Sequence, residues 1–342
     1  MKIKVDLFSD TVTKPSPEMR KFMMEAEVGD EQLNEDPSVN KLTQMTAELL
    51  GQEAGIYLPS GHMANQISFA VHCDPGDEIL MAASAHPFNF EAGAAAVISS
   101  ASIRTLEENR GIFTSRKVKE SLRSEGYHYP RSRLISVEQT ANMGGGAVWP
   151  LESIQEVCAL ARAEGLKTHL DGARLFNAVI ASGVSAKEYA SEFDSAWIDL
   201  SKGLGAPVGS VLTGSKEFIK QARYWKQRLG GAMRQAGIIA AGGIYALENN
   251  IDRLTEDHHH AQYLARELNK FTELELNPCE VETNIVIFKT REKSAKELSS
   301  ELLKKGVRLS VVGDYRLRAV THLDVDKNDL EYALEVFSEV LN

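Results

Sequence analysis

Three segments of the sequence carry residue types that could act together on one small anionic ligand. Asp171 and Lys202 each follow a short apolar run. Ligands of open α/β sheets bind beyond the carboxyl ends of the strands, so both side chains are predicted to point into a ligand crevice. The segment Pro59-Ser60-Gly61 separates another apolar run from a helical pattern. Free amides at a helix N-terminus bind phosphate, and Gly61 would let the anion approach closely.

Each of these features has an ordinary structural explanation when it is taken alone. Asp171 could cap a helix, because Asp is a favoured N-cap residue. Lys202 could be a solvated surface lysine, and Ser-Gly pairs occur in many turns. The combination is more specific, because pyridoxal phosphate needs amide donors for its phosphate, a carboxylate for its pyridine nitrogen and a lysine amine for its aldehyde. A partly desolvated lysine is also a good nucleophile.

The segments between these residues predict an α/β fold. From about residue 38 to residue 250, short apolar runs alternate with helical patterns, which is typical of a mostly parallel sheet with helices on both faces. Helical periodicity is clear in Met63–Cys73 and Ser153–Glu164. The predicted strands are Gly55–Leu58, Glu78–Ala83, Arg133–Glu138, Leu166–Leu170, Ala196–Leu200 and Val208–Thr213.

The pattern changes after about residue 250 to the order β-α-β-β-α, which predicts a smaller α+β domain. Its helices are expected at Thr255–Lys270, at Ala295–Lys305 and from Asn328, and its strands at Thr283–Thr290, Val307–Val312 and Leu317–Thr321. We therefore predict a large domain over residues 13–250 and a small domain formed by residues 1–12 and 251–342. Because no Pro-, Gly- or Ser-rich linker separates the two, they are expected to share a substantial interface.

Composition excludes several classes of protein. The net charge of −10 argues against a nucleic-acid binder, and no apolar run approaches the length of a membrane span. The N-terminal residues have no secretory pattern. The cysteines Cys73, Cys158 and Cys279 are odd in number and far apart, so we expect buried inert thiols and a reducing, cytoplasmic setting.

Several motifs together resemble the threonine aldolases. They are Ser9–Thr13, Val28–Asp30, Glu35–Asn40, Asp171–Ala178, Leu200–Gly209 and Met233–Gly237, and the resemblance extends from Asp6 to about Asp326. It implies a pyridoxal-phosphate enzyme of fold type I, the aspartate-aminotransferase fold. It also implies a homodimer or homotetramer with shared active sites, and Met233–Gly237 is expected at a subunit interface.

The resemblance also implies a role for each matching residue. Lys202 would hold the cofactor aldehyde, Asp171 would pair with the pyridine nitrogen, and His86 would stack on the ring and assist proton transfer. The phosphate would lie against Ser60, Gly61 and His62, with Arg234 reaching in from a neighbouring subunit. The cofactor set further includes Arg174, and the substrate carboxylate would be held by Ser9, Arg174 and Arg318. Arg316 is the alternative to Arg318 for the inward-pointing arginine of that strand.

The sequence departs from the family pattern mainly on the substrate side. Ala141 replaces a histidine thought to help activate the substrate hydroxyl, and His62 replaces a threonine. Further departures are Phe8 for Arg, Leu33 for Tyr and Ala232 for Gly. The base is therefore predicted to be His86, His62 or a bound water. No metal site is expected, because the consecutive residues His258–His260 would point in different directions on a helix and form a solvated face.

The predicted reaction is retro-aldol cleavage of a β-hydroxy-α-amino acid, such as threonine or allo-threonine, to glycine and an aldehyde. Two alternatives stay open at this point. The same cofactor could support β-elimination or racemisation, or the chain could bind the cofactor without turnover. The presence of Lys202, Asp171 and Arg174 together argues against a binder without turnover.

Overall fold

A computed structural model describes residues 2–124 and 126–341. Its strands are β1 (Val5–Asp6), β2 (Ala54–Leu58), β3 (Glu78–Ala82), β4 (Ser102–Leu106), β5 (Ser132–Glu138), β6 (Lys167–Gly172), β7 (Ser195–Asp199), β8 (Ser210–Gly214), β9 (Leu274–Glu275), β10 (Ile285–Thr290), β11 (Val307–Arg308), β12 (Ser310–Val311) and β13 (Arg316–Val320). Its helices are α1 (Pro17–Met24), α2 (Pro37–Leu50), α3 (Gly61–His72), α4 (His86–Asn89), α5 (Ser115–Ser121), α6 (Leu151–Ala163), α7 (Leu175–Ser182), α8 (Ala186–Ala190), α9 (Lys216–Arg228), α10 (Gly237–Asn249), α11 (Leu254–Leu268), α12 (Ala295–Lys304) and α13 (Lys327–Leu341). Short 3₁₀ turns cover Asp10–Val12, Glu31–Leu33 and Pro278–Glu280, and Ala95–Ser99 forms a π turn.

The large sheet has the strand order β2-β8-β7-β6-β5-β3-β4. All pairings between β7 and β4 are parallel, whereas β8 runs antiparallel to both β2 and β7. The predicted mostly parallel sheet is therefore confirmed. The sequence pattern missed β4, because it lies at the sheet edge and the polar pair Arg104 and Thr105 interrupts its apolar run.

The small sheet is antiparallel in the order β12-β13-β10-β9, and β1 pairs in parallel with β11 beside it. Val5 and Leu7 therefore belong to the same apolar core as α11, α12 and α13. A separate and larger core surrounds the parallel sheet. The chain thus has two separate hydrophobic cores, one at each sheet. The two cores adjoin at the edge of the large sheet where β5, β6 and β7 end.

Local sequence signals account for many of the helix boundaries. The α2 helix begins after Asp36, whose carboxylate accepts the amide of Val39, and ends at Gly51 with a φ of 65°. Ser185 and Ser294 open α8 and α12 with reciprocal capping boxes, which satisfy amides that the helix itself leaves unpaired.

Two burial predictions are wrong. Cys73 and Cys158 are buried, and burial raises the pKa of each thiol to about 12, but Cys279 is exposed because its short turn lies on the surface. His258 is also buried, because α11 turns it inward towards Asn177, so His258–His260 is not a wholly solvated face. No helix in the described ranges has the length and apolar character needed to cross a membrane.

Candidate active site

Asp171 lies at the carboxyl end of β6, in the middle of the large sheet. Its neighbour across the parallel ladder is Glu138, at the end of β5. Asn65 donates from Nδ2 to Oδ2 of Asp171 over 2.9 Å, and the amide of Ala173 donates to Oδ1 over 3.1 Å. The pKa of Asp171 is raised to about 7, mainly by burial and secondly by the charge of Glu138. This buried carboxyl group forms no ion pair with any of the described residues, although the charges of Lys202 and His86 act on it.

Lys202 lies just beyond β7, on the strand next to that of Asp171. Its Nζ is 3.4 Å from Oδ2 of Asp199 and 5.8 Å from the centre of the Trp197 ring, and the side chain is 18% exposed. The hydroxyl of Thr13 donates to its backbone carbonyl over 2.9 Å. The lysine is therefore held at the sheet edge by contacts with residues of β7 and with the N-terminal segment that contains Thr13.

The predicted phosphate cradle is the first turn of α3. The hydroxyl of Ser60 accepts the amide of Met63 over 3.2 Å and so caps the helix. The amides of Gly61 and His62 have no hydrogen-bond partner within residues 2–124 and 126–341. A further reason for a glycine at this position is packing, because a Cβ on Gly61 would lie 2.0 Å from the Trp197 ring. The absence of a side chain thus lets α3 pack closely against β7.

His86 begins α4 and lies next to the cradle. Its Nδ1 is 2.9 Å from Oε1 of Glu91, and its backbone amide donates to Oε2 of Glu138 over 2.8 Å. Burial alone would lower the pKa of His86, but the hydrogen bond to Glu91 and the charges of Asp171, Glu91 and Glu138 outweigh burial and raise it. The imidazole is 40% exposed, so its free edge remains accessible to a ligand.

Arg174 is already paired within the protein. Its Nε and Nη2 donate to the two carboxylate oxygens of Asp10 over 2.8 and 2.6 Å, and both side chains are buried. Burial alone would raise the pKa of Asp10, but the charge and hydrogen bonds of Arg174 hold it below its usual range. A ligand can therefore reach Arg174 only through its remaining donors.

Arg318 lies close to the pair of Asp10 and Arg174 but has no carboxylate of its own among the described residues. Its guanidinium donates to Oδ1 of Asn142 over 2.6 Å and to the carbonyl of Phe8 over 3.3 Å, while its buried Nε has no partner. Within the described chain it forms no ion pair with a carboxylate. Burial, and next the charge of Arg174, lowers the pKa of Arg318 to about 10. A carboxylate ligand would supply the missing negative charge.

The two arginines of β13 lie on the same face of the strand, because they are two residues apart. Arg316 lines a cavity of about 730 Å³, together with Phe90, Met143 and Ile287. Met143 follows Asn142, so the cavity opens beside the contact between Asn142 and Arg318. The structure thus separates the arginines, with Arg318 at the site and Arg316 at the neighbouring cavity.

Two of the predicted residues have local partners in the monomer. The hydroxyl of Ser9 accepts the amide of Thr11 and is 3.4 Å from Asp10, which places Ser9 beside the pair of Asp10 and Arg174. Arg234 is 63% exposed and pairs with Asp30 over 2.8 Å. The monomer does not bring Arg234 into contact with its own cradle.

Ala141 occupies the place where the family pattern has a histidine, and it is 3% exposed. A Cβ built on Gly111 would lie 2.4 Å from the Ala141 methyl group, and one built on Gly144 would lie 3.1 Å from it. The loop between β5 and α6 is therefore packed around a methyl group at this point. The loss of the histidine is accompanied by close backbone packing rather than by an empty space.

Sequence reasoning missed four residues that shape the site: Asp10, Asn65, Glu91 and Glu138. Asp10 is 164 positions from Arg174, and Asn65 is 106 positions from Asp171. No spacing rule connects residues that far apart. A weak signal existed for Glu138, which ends a predicted strand next to that of Asp171. No group of His, Cys, Asp or Glu in the described ranges has the arrangement of a metal site.

The fold and the lysine-carboxylate pair at its strand ends define a lyase of pyridoxal-phosphate fold type I. Residues 6–291 match the family described as beta-eliminating lyase. The chain is 42% identical to the low specificity L-threonine aldolase of Escherichia coli K12, with 95% of this chain and 96% of that protein covered. The chain therefore belongs to the beta-eliminating lyase family, within its low-specificity L-threonine aldolases.

Solved structures show the same fold. A threonine aldolase of Leishmania major superimposes with a TM-score of 0.84 at 17% identity, covering 99% of this chain and 100% of that one. A structure of SPT with pyridoxal phosphate gives a TM-score of 0.75 at 16% identity, covering 98% and 86%.

The residues of this chain fit pyridoxal phosphate at both of its ends. The amides of Gly61 and His62, which have no partner among the described residues, are suited to bind a phosphate. Asp171 has no cation paired with it in the described chain, and a protonated pyridine nitrogen would supply one. Lys202 at the neighbouring strand end would supply the amine. When bound, the cofactor acts as an electron sink for the amino acid attached to it.

Proposed function

We propose that this enzyme cleaves a β-hydroxy-α-amino acid, such as threonine or allo-threonine, to glycine and an aldehyde. The observation that carries the proposal is Arg318, a largely buried guanidinium without an anion at the site that contains Asp171 and Lys202. An arginine fork binds a carboxylate through two parallel hydrogen bonds. The relatives' names supply the substrate class, because the E. coli protein is a low specificity L-threonine aldolase.

Each residue would have a distinct task in this reaction. Arg318, with Ser9 and the remaining donors of Arg174, would bind the substrate carboxylate and fix the orientation of the bond to be broken. Asp171 would hold a proton on the pyridine nitrogen. Lys202 would supply the amine that holds the cofactor through its aldehyde. His86 would take the hydroxyl proton through the ring nitrogen that does not face Glu91.

The experiment that tests this proposal is a product assay with the loaded enzyme. Purified protein with pyridoxal phosphate would be given L-threonine, L-allo-threonine, their D forms and phenylserine. Equal amounts of glycine and aldehyde from an L substrate would support the proposal. Ammonia and a keto acid would favour β-elimination instead, the alternative suggested by the description of the matched family.

We also infer that the active sites are shared between subunits of a homodimer or homotetramer. Arg234 is exposed in the monomer, on a segment that contacts the loop of Asp30 and Glu31. Exposed apolar side chains lie on the neighbouring helices and loops, at Met24, Val28, Leu33 and Ile238. A second copy of the chain would cover these residues and bring Arg234 to the cradle of its neighbour. A cytoplasmic setting is proposed from the three free thiols.

A further inference from the structure

Glu91 is a buried carboxylate to which the proposed reaction assigns no task. Its side chain is fully buried, two residues after the end of α4 and beside α3. Oε1 lies 2.8 Å from Nδ2 of Asn65 and 2.9 Å from Nδ1 of His86, and Oε2 lies 2.6 Å from Nε2 of Gln66. A buried carboxylate is expensive unless such donors surround it. The free-energy cost of burying this carboxylate indicates a task beyond packing.

The orientation of Asn65 follows from its other partner. The indole Nε1 of Trp197 can only donate, and it donates to Oδ1 of Asn65 over 2.8 Å. Nδ2 of Asn65 therefore faces the opposite side and gives its two hydrogens to Glu91 and Asp171. Both carboxylates thus accept from one amide, which ties the position of Glu91 to that of Asp171.

The same argument fixes the imidazole of His86. Because Oε1 of Glu91 accepts from Asn65, the carboxylate acts as an acceptor, and Nδ1 of His86 must donate to it. In the neutral ring the proton is then on Nδ1, and Nε2 has a free lone pair. This is the tautomer that can remove a proton from a ligand lying beyond the ring.

His62 approaches the same carboxylate from the cradle. Its Nε2 lies 3.6 Å from Oε2 of Glu91, and its ring is 43% exposed. The charged or titratable groups around His86 are Glu91, Asp171 and Glu138, with His62 facing it across Glu91. Two imidazoles therefore face one carboxylate, whereas a threonine at position 62 would place no imidazole there.

We propose that Glu91 is the positioning residue for His86, fixing which ring nitrogen of the neutral imidazole carries the proton, and that His62 competes with His86 for this carboxylate. The proposal rests on the proposed function for the task of His86, although the pairing itself does not depend on turnover. It assigns to Glu91 and His62 the control of the proton on His86.

The first test measures the pKa of each histidine without any turnover. Deuterium exchange at the imidazole C2 position, followed by mass spectrometry from about pH 5 to about pH 9, reports His62 and His86 separately in the full-length loaded protein. Glu91→Gln is expected to lower the pKa of His86, because the ring loses its negative partner. His62→Thr is expected to raise it, because Glu91 then serves His86 alone.

Glu138→Gln is the matched control, because Glu138 also contributes charge but contacts only the backbone amide of His86. It is expected to lower the pKa of His86 less than Glu91→Gln does. An equal shift in these two variants would overturn the positioning role, because a general charge effect would then suffice. An unchanged or lowered pKa of His86 in His62→Thr would overturn the competition.

A second test uses the product assay. Glu91→Gln is expected to lower kcat about 10-fold with little change in KM and to move the acidic limb of the pH profile to lower pH. His62→Thr is expected to move this limb to higher pH. Wild-type protein that releases no glycine from any substrate would contradict the proposed function, while the exchange data would still decide the role of Glu91.

Discussion

At the scale of single residues, burial without a counter-ion is what gives this site its chemistry. Asp171 and Arg318 are both largely withdrawn from water, and neither has an ion-pair partner within the described chain. Asp10 and Arg174, by contrast, satisfy each other. The first two groups therefore gain from a bound cation and a bound anion, while the second two are a rigid support beside them.

Asp171→Asn tests the first half of this argument. In the protein without cofactor, the pKa of Asp171 is raised to about 7. As pH rises from about 4, the usual pKa of Asp, the unfolded chain releases this proton first and the folded protein loses stability. The variant lacks this decline, so its loss of stability between about pH 5 and about pH 8 should be smaller by on the order of 2 kcal/mol.

Urea denaturation across this pH range measures the difference, and the product assay should show kcat about 100-fold lower in Asp171→Asn. With cofactor bound, the decline should also disappear from the wild type, because the protonated pyridine nitrogen supplies the missing charge. Parallel pH dependence in the two cofactor-free proteins would show that Asp171 does not carry this buried proton.

Asp10→Asn tests the supporting pair and should act mainly on stability. Removing one partner leaves the buried Arg174 charge uncompensated, at a cost of about 3–5 kcal/mol in the free energy of unfolding. The pKa of Asp10 lies below its usual range, so its stabilisation is complete above about pH 4, its usual value. This stabilisation is lost as pH falls towards the lower pKa of the folded state.

The difference in unfolding free energy between wild type and Asp10→Asn should therefore be constant near neutral pH and shrink below about pH 4. Glu120→Gln is a suitable control, because it breaks the exposed pair of Arg116 and Glu120. It should change stability by less than about 0.5 kcal/mol. A cost for Asp10→Asn no larger than this control would mean that the buried pair contributes little.

At the scale of elements, the cradle depends on how closely α3 packs against β7. Gly61 lies over the Trp197 ring, and the indole of Trp197 also orients Asn65 on the same helix. One aromatic residue thus sets both the position of the cradle amides and the link between Asp171 and Glu91.

Gly61→Ala should disturb this contact directly. The added Cβ would lie 2.0 Å from the Trp197 ring, so the helix must shift, at a cost of about 1–3 kcal/mol. The affinity for pyridoxal phosphate should fall with it, as measured by titration of the cofactor-free protein. Gly313→Ala provides the control, because its Cβ would meet no atom closer than 3.4 Å. Equal cofactor affinity in both variants would show that cofactor binding does not depend on the packing of Gly61 against Trp197.

The order of strands and helices could be predicted because apolar periodicity and turn residues are local properties of the sequence. The positions of Lys202 and Asp171 at strand ends could also be predicted, because each residue follows a recognisable apolar run. What the sequence could not give was the register that puts Glu138 beside Asp171, or the pairing of Asp10 with Arg174. Such contacts depend on how distant elements pack, and no local pattern encodes them. The contact between Gly61 and Trp197 could not be predicted for the same reason.

At the scale of the whole molecule, the site lies where the two hydrophobic cores adjoin. Residues from the N-terminal segment, the sheet edge and β13 contribute to it, and the cavity of about 730 Å³ opens at the same boundary. This space adjoins the contact between Asn142 and Arg318, because Met143 lines it. Arg234 was predicted to belong to the site, but within one chain it is exposed and pairs with Asp30. Its predicted role therefore depends on a second subunit.

Shared active sites make a prediction that a self-contained monomer does not. Lys202→Ala and Arg234→Ala should each be inactive or nearly so as homo-oligomers. A dimer with one subunit of each kind would combine the intact Lys202 of one chain with the intact Arg234 of the other at one of its two sites. Dimers isolated through two different affinity tags should therefore recover about half of the wild-type activity, because a two-fold axis generates two equivalent sites. If Arg234 instead served its own chain, each site in the mixed dimer would lack one of the two residues, and activity would stay at the level of the parent variants.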